Sequence, residues 1–146
     1  MNLVVYLAGE IHSEWRKELK EKASHLPITF KGPMENHDRS DQIGEEVLGK
    51  QPDSIAKDEA ASRINNLRTS LLLTKADLVI SLFGESYKQW NTAMDASTAI
   101  EMGKPLILIR PKELHHPLKE LSSKASVTVE SIGQAIQVLS YIFDKD

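Results

Sequence analysis

Residues 76–110 read ADLVISLFGESYKQWNTAMDASTAIEMGKPLILIR, and this stretch decides the fold of the chain. A hydrophobic segment, Leu78–Leu82, is followed by polar residues, a short amphipathic segment, a glycine and a proline, and then by a second hydrophobic segment, Leu106–Ile109. This order predicts a βαβ unit, whose first turn lies at the carboxyl edge of a parallel sheet. Open α/β sheets bind ligands at that edge. Asp95 is predicted in the first turn of the intervening helix, facing the edge, and is the leading candidate for a reactive group.

The rest of the chain continues the alternation of strands and helices. Three more apolar segments predict strands: Leu3–Leu7, Ile28–Phe30 and Ser126–Val129. Helices are predicted after Gly9, from the N-cap Asp53 to about Lys75, and after Ser131, where Gln134 completes a capping-box pattern. We therefore predict an α/β fold for residues 1–146: a single-domain, Rossmann-like three-layer sandwich with about five parallel strands and helices on both faces.

Helical periodicity also predicts which faces are buried. The first helix carries an apolar stripe formed by Ile11, Trp15, Leu19 and Ala23. The long helix has Ile64, Leu67 and Leu71 on one face. Residues 31–51, in contrast, contain scattered glycines and many polar side chains, which predicts a long irregular loop that is either functional or mobile.

Composition excludes several classes of protein. The chain has 146 residues, of which 40% are hydrophobic and 27% charged, as expected for one soluble domain with a real core. It has no cysteine, which excludes disulfides, thiolate catalysis and cysteine-ligated metal sites. A net charge of −3 argues against a nucleic-acid binder but leaves room for a small anionic ligand. The absence of a long apolar run or an N-terminal signal pattern predicts a cytoplasmic protein that does not bind membranes.

Two motifs at predicted strand-to-helix turns have alternative interpretations. Gly9, which follows the first strand, either lets the backbone approach a ligand or simply relieves a steric clash. Thr92 and Asp95 have the spacing of a capping box, so Asp95 either caps the helix or serves a ligand, and these roles are compatible.

The long predicted helix carries a dense group of polar side chains: Asp58, Arg63, Asn65, Asn66 and Arg68. Charged helix faces are usually only solvated. Adjacent asparagines are less usual, because asparagine is a mediocre helix former, and their amides suit recognition of a base or a sugar. Tyr87 and Trp90 are near Asp95 in sequence and either stack on a base or pack within the protein.

Histidines and carboxylates occur together in two segments, His37–Asp41 and His115–His116. They either line a pocket or form part of a metal-dependent hydrolase site. Because no familiar ligand spacing is present, we predict neither a metal nor a cofactor.

Several motifs resemble a known family. Tyr6–Gly9, Ala76–Ile80, Thr92–Asp95 and Gly103–Pro105 occur in the order seen in the nucleoside 2-deoxyribosyltransferase superfamily. More closely, nearly the whole chain resembles the bacterial YtoQ family, through the motifs HDRSD (37–41), DEAAS (58–62), INNLRT (64–69), QWNTAMDA (89–96) and LILIRP (106–111).

This resemblance implies an enzyme that cleaves or transfers the N-glycosidic bond of a nucleoside, a nucleotide or a related ribosyl compound. Asp95 matches the nucleophilic glutamate of the transferases, and Tyr6 matches the tyrosine that places nucleophile and sugar. The candidate substrate-binding residues are Gly9, Glu10, His37, Asp38, Asn65, Asn66, Arg68, Gly84, Trp90, Asn91, Arg110 and His116. The alternative is a module on the same fold that binds or senses nucleotides without catalysis.

The chain departs from the transferase pattern in three places. Asp95 is one methylene shorter than the family's glutamate. Arg68 and Thr69 occupy the region of the acid that recognises or protonates the base, and Gln89 stands near a second missing acid. Base recognition is therefore expected to differ. The resemblance further implies a homodimer or larger homo-oligomer, in which the segment 110–123 completes a neighbouring subunit's site.

Overall fold

A parallel sheet forms the centre of the protein. The computed structural model describes residues 1–145 and orders the strands β2-β1-β3-β4-β5. The strands are β1 (Leu3–Ala8), β2 (Ile28–Lys31), β3 (Leu78–Leu82), β4 (Leu106–Ile109) and β5 (Val127–Val129). Every pairing in the sheet is parallel. The predicted α/β fold with about five parallel strands is confirmed.

Helices cover both faces of the sheet. They are α1 (Trp15–Lys22), α2 (His37–Leu48), α3 (Ser54–Lys75), α4 (Trp90–Glu101), α5 (Lys119–Lys124) and α6 (Ile132–Ile142). Helices α1 and α6 pack in the core on one face, while α3, α4 and α5 contribute to the core on the other, and α2 packs outside on α3. None of the helices within residues 1–145 is both long and apolar enough to cross a membrane.

Strand β1 is buried on both faces, as its continuous apolar sequence predicts. Val5 and Leu7 point into the core beneath α1 and α6, whereas Tyr6 and Ala8 point towards α3 and α4. This alternation places the tyrosine hydroxyl beneath the layer that contains Asp95.

The strand order creates a crevice beside β1. The chain leaves β1 towards β2 at one edge, then crosses back to β3 on the other side, and continues outwards to β4 and β5. The connections from β1 and β3 therefore diverge, and they leave a gap at the carboxyl ends of these two strands. Such a switch point is where open α/β sheets bind their ligands.

The prediction of an irregular segment over residues 31–51 is wrong, because it contains α2. The Asn36 side chain caps this helix by accepting a hydrogen bond from the Arg39 amide (3.0 Å). Gly44 lies at its crossing with α3, where a Cβ atom would come within 2.5 Å of the Ala61 nitrogen. Glycine is unfavourable for an isolated helix but permits this close contact.

The buried stripes of two helices also differ from expectation. Helix α1 begins at Trp15, so Ile11 lies in the preceding loop rather than on the helix. On α3, Leu67 is 62% and Leu71 55% exposed. Helix α3 contacts α2 through its N-terminal half and the sheet only through its C-terminal end, so its buried residues are Ala60, Ala61 and Leu73. No single stripe along its 22 residues faces one partner.

Candidate functional site

A cavity of about 830 Å³ lies at the carboxyl ends of β1 and β3. The loops after β1, β2 and β3, helices α2 and α3, and the beginning of α4 form its walls. Its volume is within the range of pockets that hold small organic ligands.

Most of the candidate site residues meet here. Those that line the cavity are Gly9, Glu10, His37, Asn65, Asn66, Arg68, Trp90, Asn91 and Asp95. Tyr6 is buried beneath it. Four candidates lie outside the lining: Asp38, Gly84, Arg110 and His116.

Asp95 reaches the cavity from the second turn of α4. The helix begins at Trp90, after the N-cap Gln89, and no side chain among residues 1–145 caps it. The predictions of a first-turn position and of a Thr92–Asp95 capping box are therefore wrong. Partial burial raises the pKa of the Asp95 carboxyl to about 6, and the Arg16 guanidinium opposes this rise. Within residues 1–145 its side chain accepts no hydrogen bond, so the carboxylate is free to meet a ligand.

Tyr6 supplies a buried hydroxyl near Asp95. The residue is fully buried, and no described group has hydrogen-bond geometry with its hydroxyl. Burial and then the Asp95 charge raise the pKa of Tyr6 to about 12, while the nearby Thr69 hydroxyl and the Arg16 and Arg68 charges act in the other direction. Tyr6 therefore keeps its proton at neutral pH and is a hydrogen-bond donor.

Arg16 is a site residue that the sequence analysis missed. It is 2% exposed and donates to the backbone carbonyl oxygens of Glu10 (2.6 Å), Gly9 (2.7 Å) and Leu7 (3.3 Å). These bonds hold the loop after β1 and place a positive charge beside Asp95. A signal was present: Arg16 precedes Ala23 by seven residues and so shares the buried stripe of α1.

Both interpretations of Gly9 have structural support. A Cβ atom there would lie 2.5 Å from the Trp15 ring, so glycine permits this packing. Gly9 also lines the cavity. Its neighbour Glu10 organises the same loop, because its carboxylate accepts from the amides of His12 and Ser13 and from the Ser13 hydroxyl.

Two side chains of the polar group on α3 bind other parts of the protein. Asn65 Nδ2 donates to the Ser40 carbonyl of α2 (2.9 Å), and Arg68 Nη1 donates to the Gly32 carbonyl after β2 (2.8 Å). These two side chains connect three cavity walls. Asn66 lines the cavity, and its side chain has no hydrogen bond to residues 1–145.

The loop after β3 is shaped by Gln89 and ends at an exposed aromatic ring. Gln89 accepts from the Gly84 amide (2.8 Å) and donates to the Leu82 carbonyl (3.3 Å), so Gly84 belongs to the support of the loop. Trp90 is 76% exposed at the cavity rim, with Lys88 Nζ 5.5 Å from its ring centroid. Exposure of this extent excludes a core-packing role for Trp90.

The histidine segments separate in the structure. His37 lines the cavity, whereas His115 lies near Arg110 beyond β4, with 3.4 Å between His115 Nδ1 and Arg110 Nη2. Across the described residues, no three histidine, aspartate or glutamate side chains form a group that could hold a metal ion.

Known proteins resemble this chain along its whole length. Residues 6–143 match a family model described as nucleoside 2-deoxyribosyltransferase YtoQ. The uncharacterized protein YtoQ of Bacillus subtilis (strain 168) is 67% identical over 148 aligned positions, which cover 100% of both chains.

Solved structures share the fold at low sequence identity. A 2-deoxyribosyltransferase from Bacillus psychrosaccharolyticus has a TM-score of 0.65 and 18% identity. The match covers 93% of this chain and 95% of the transferase chain. A CMP N-glycosidase of Clostridium botulinum, BcmB, has a TM-score of 0.56 and 15% identity, covering 96% and 99%. At these identities the likeness concerns the fold.

Proposed function

Because this chain belongs to the nucleoside 2-deoxyribosyltransferase YtoQ family, we propose that it cleaves or transfers the N-glycosidic bond of a nucleoside or nucleotide, with Asp95 as nucleophile. One observation carries this proposal: a half-buried carboxylate without a hydrogen-bond partner in the described chain faces a cavity of nucleoside size at the switch point of the sheet. The nucleoside and nucleotide enzymes with the same fold agree with it.

The reaction has two steps. An Asp95 oxygen attacks the anomeric carbon of the sugar, the bond to the base nitrogen breaks, and the electron pair leaves with the base. The product is a glycosyl ester on Asp95, which water or the nitrogen of a second base then attacks to release the carboxylate. Partial burial keeps bulk water from screening the developing charge at the anomeric carbon.

The surrounding side chains divide the remaining tasks. The Tyr6 hydroxyl, unpaired among residues 1–145, is the donor that would bond to the Asp95 carboxylate during attack, while the buried Arg16 guanidinium favours the ionised form of Asp95. Trp90 offers an exposed ring on which a base can stack, and Asn66 and Arg68 present hydrogen-bond donors to the ligand.

The decisive experiment is base release measured by chromatography. Wild-type protein and Asp95→Asn are incubated with nucleosides, deoxynucleosides and their 5′-monophosphates. We expect free base from the wild type and none above background from the variant. Asp144→Asn is the matched control, because Asp144 is an exposed carboxylate far along the chain from the cavity segments. Undiminished base release by Asp95→Asn would contradict the assignment of the nucleophile.

The proposed nucleophile also predicts a pH dependence. Only ionised Asp95 attacks the sugar, and the pKa of its carboxyl is about 6. We expect kcat/KM to rise about tenfold per pH unit below pH 6, with this acidic limb ending near pH 6. A profile without an acidic limb between pH 4.5 and 7 would contradict this role.

A second candidate is a binding module without catalysis. It is favoured by the same lack of a hydrogen bond to Asp95 in the described chain, because nothing then fixes the angle of attack of the short side chain. This alternative predicts ligand-dependent thermal stabilisation without base release from any member of the panel.

Homo-oligomerisation extends the proposal to the residues outside the cavity. Arg110 and His116 remain candidates for completing the site of a neighbouring subunit. Light scattering coupled to gel filtration measures the assembly, and a strictly monomeric, active enzyme would remove this role.

A further inference from the structure

We propose that His37, held by Asp41, is the general acid that protonates the departing base; this inference rests on the proposed function. His37 Nε2 lies 3.2 Å from Asp41 Oδ2, one helical turn along α2. Both side chains line the same cavity as Asp95. The pair therefore places a proton donor and its orienting carboxylate in the compartment where the base leaves.

The chemistry requires a donor of this kind. When the N-glycosidic bond breaks, the electron pair stays with the base, which is a poor leaving group as an anion. A proton delivered to the base during bond cleavage lowers this barrier, and such general acid catalysis contributes typically 10²–10⁴-fold. Imidazole is the side chain whose ordinary pKa is closest to neutrality.

The first turn of α2 holds His37 in place. Asn36 caps the helix, and the Ser40 hydroxyl donates to the His37 carbonyl (2.8 Å). The His12 ring meets His37 edge-on, with 5.7 Å between the centroids, and the Tyr87 ring lies 5.4 Å from His12. This row of three rings connects α2 to the loops after β1 and β3.

Other titratable side chains in the cavity fit the role less well. Both Glu10 oxygens accept hydrogen bonds from the loop after β1. Asp58 has no orienting partner among residues 1–145, whereas the equally exposed His37 has Asp41. His12 lies between two rings without a carboxylate within salt-bridge distance in the described chain. His37 combines an ionisable ring with an orienting carboxylate.

The proton balance is simple. Protonated His37 keeps one N–H on the Asp41 carboxylate and transfers its other ring proton to the base as the bond to the anomeric carbon breaks. The base departs neutral, His37 is left as neutral imidazole, and Asp95 holds the sugar. The water or second base that resolves the intermediate releases a proton, which returns to His37.

The test compares leaving groups that differ in their need for a proton. If the wild type releases purines, the substrates are 2′-deoxyguanosine and 7-methyl-2′-deoxyguanosine, whose cationic base departs as a neutral molecule. If it releases pyrimidines, they are 2′-deoxyuridine and 5-fluoro-2′-deoxyuridine, whose base is the better leaving group. We expect His37→Gln to lower turnover of the first substrate of a pair by 10²-fold or more and that of the second much less. Asp41→Asn is expected to show the same selectivity with a smaller loss.

Control variants separate this role from others. His25→Gln removes an exposed histidine that does not line the cavity and is expected to match the wild type. Asp95→Asn is expected to lose turnover of both substrates of a pair equally, because cleavage of each needs the nucleophile. Equal losses in His37→Gln would overturn the acid role and leave His37 as a binding residue. Failure of the wild type to release base from any member of the nucleoside and nucleotide panel would instead contradict the proposed function.

Discussion

Two buried arginines lie at the carboxyl edge of the same sheet, and their surroundings differ. Arg16, beneath the cavity, donates to three backbone carbonyls and lies close enough to Asp95 to affect its pKa. Arg110, after β4, has only His115 at 3.4 Å and Glu130 at 3.8 Å as side-chain partners, and its Nε and Nη1 atoms lack hydrogen bonds in residues 1–145. Within residues 1–145, Arg16 leaves its Nε atom without a hydrogen bond but binds three carbonyls through its other two nitrogens, whereas Arg110 leaves two nitrogens without a hydrogen bond.

This difference shows why only part of the carboxyl edge of the sheet forms a ligand-sized cavity. At β1 and β3 the connections diverge, and α2, packed on α3, adds an outer wall. At β4 the connection continues to β5 on the same side, and the residues after β4 do not line the cavity. Strand order, rather than the edge itself, selects the place of the ligand.

The largest expected effect is the loss of Arg16. Arg16→Met leaves buried carbonyls without donors and a half-buried carboxylate without its neighbouring cation, so we expect unfolding free energy to fall by about 4 kcal/mol. Arg110→Met removes a guanidinium with few partners and is expected to cost about 1 kcal/mol or less. Urea denaturation of both variants measures the contrast.

Arg16→Lys is a milder variant for the case in which Arg16→Met does not fold. It keeps the positive charge but donates hydrogen bonds in a different geometry. We expect the unfolding free energy of Arg16→Lys to fall by an intermediate amount, about 2 kcal/mol. Equal losses in Arg16→Met and Arg110→Met would mean that the two regions are built alike.

The second expected effect is a gain of stability from removing the proposed nucleophile. The pKa of Asp95 is raised from 3.8 to about 6 in the folded state, so folding favours the protonated form. Above pH 6 the folded protein therefore bears the cost of an ionised, half-buried carboxylate. We expect Asp95→Asn to increase unfolding free energy by up to about 3 kcal/mol above pH 6, with the gain shrinking below pH 6 and vanishing below pH 4.

Chemical denaturation at pH 4, 5, 6 and 7.5 checks the sign and the window. Asp144→Asn is expected to change stability by less than about 0.5 kcal/mol throughout, as for an exposed side chain. A gain that did not depend on pH would point to better packing of asparagine instead of a relieved charge.

Much of the fold could be predicted because its signals are local. The bounds of β3 and β4 agree with the predicted segments, since buried parallel strands read as continuous apolar runs. Asp53 and Ser131 cap their helices as predicted, although Gln134 accepts from the Glu130 amide rather than from its own N-cap.

The site was harder to predict because its parts are set by contacts between distant segments. Helix α2 contains Gly44, whose unfavourable propensity is offset only by the close approach of α3. The spacing of Arg16 places it on the buried stripe of α1, but its role depends on the carbonyls of the β1 loop, which the sequence does not position. Asp95 could be chosen from its motif, but its position in the second helical turn depends on where α4 begins.

The third prediction compares two glycines in helices from the two regions. Gly44→Ala places a Cβ atom 2.5 Å from the Ala61 nitrogen, so α2 and α3 must separate, and we expect a loss of about 2 kcal/mol. A Cβ atom at Gly133 of α6 would have its nearest neighbour in residues 1–145 at 3.8 Å, an ordinary contact, so Gly133→Ala is expected to stabilise the protein by up to about 1 kcal/mol. Thermal unfolding of both variants tests this prediction. An unchanged stability of Gly44→Ala would mean that α2 can move away from α3 at little energetic cost.

The smallest expected change in stability accompanies a large change in function. Tyr6→Phe removes a buried hydroxyl that has no hydrogen-bond partner among residues 1–145, so unfolding free energy should change by less than about 1 kcal/mol. A hydrogen bond to a carboxylate contributes about 1.5–3 kcal/mol, so losing it during attack should lower kcat by about 10- to 100-fold. Tyr141→Phe, at a 78% exposed position on α6, is the matched control. If Tyr6→Phe lost stability and kept its turnover, the hydroxyl would serve the core, and the cavity region would differ from the β4 edge in packing alone.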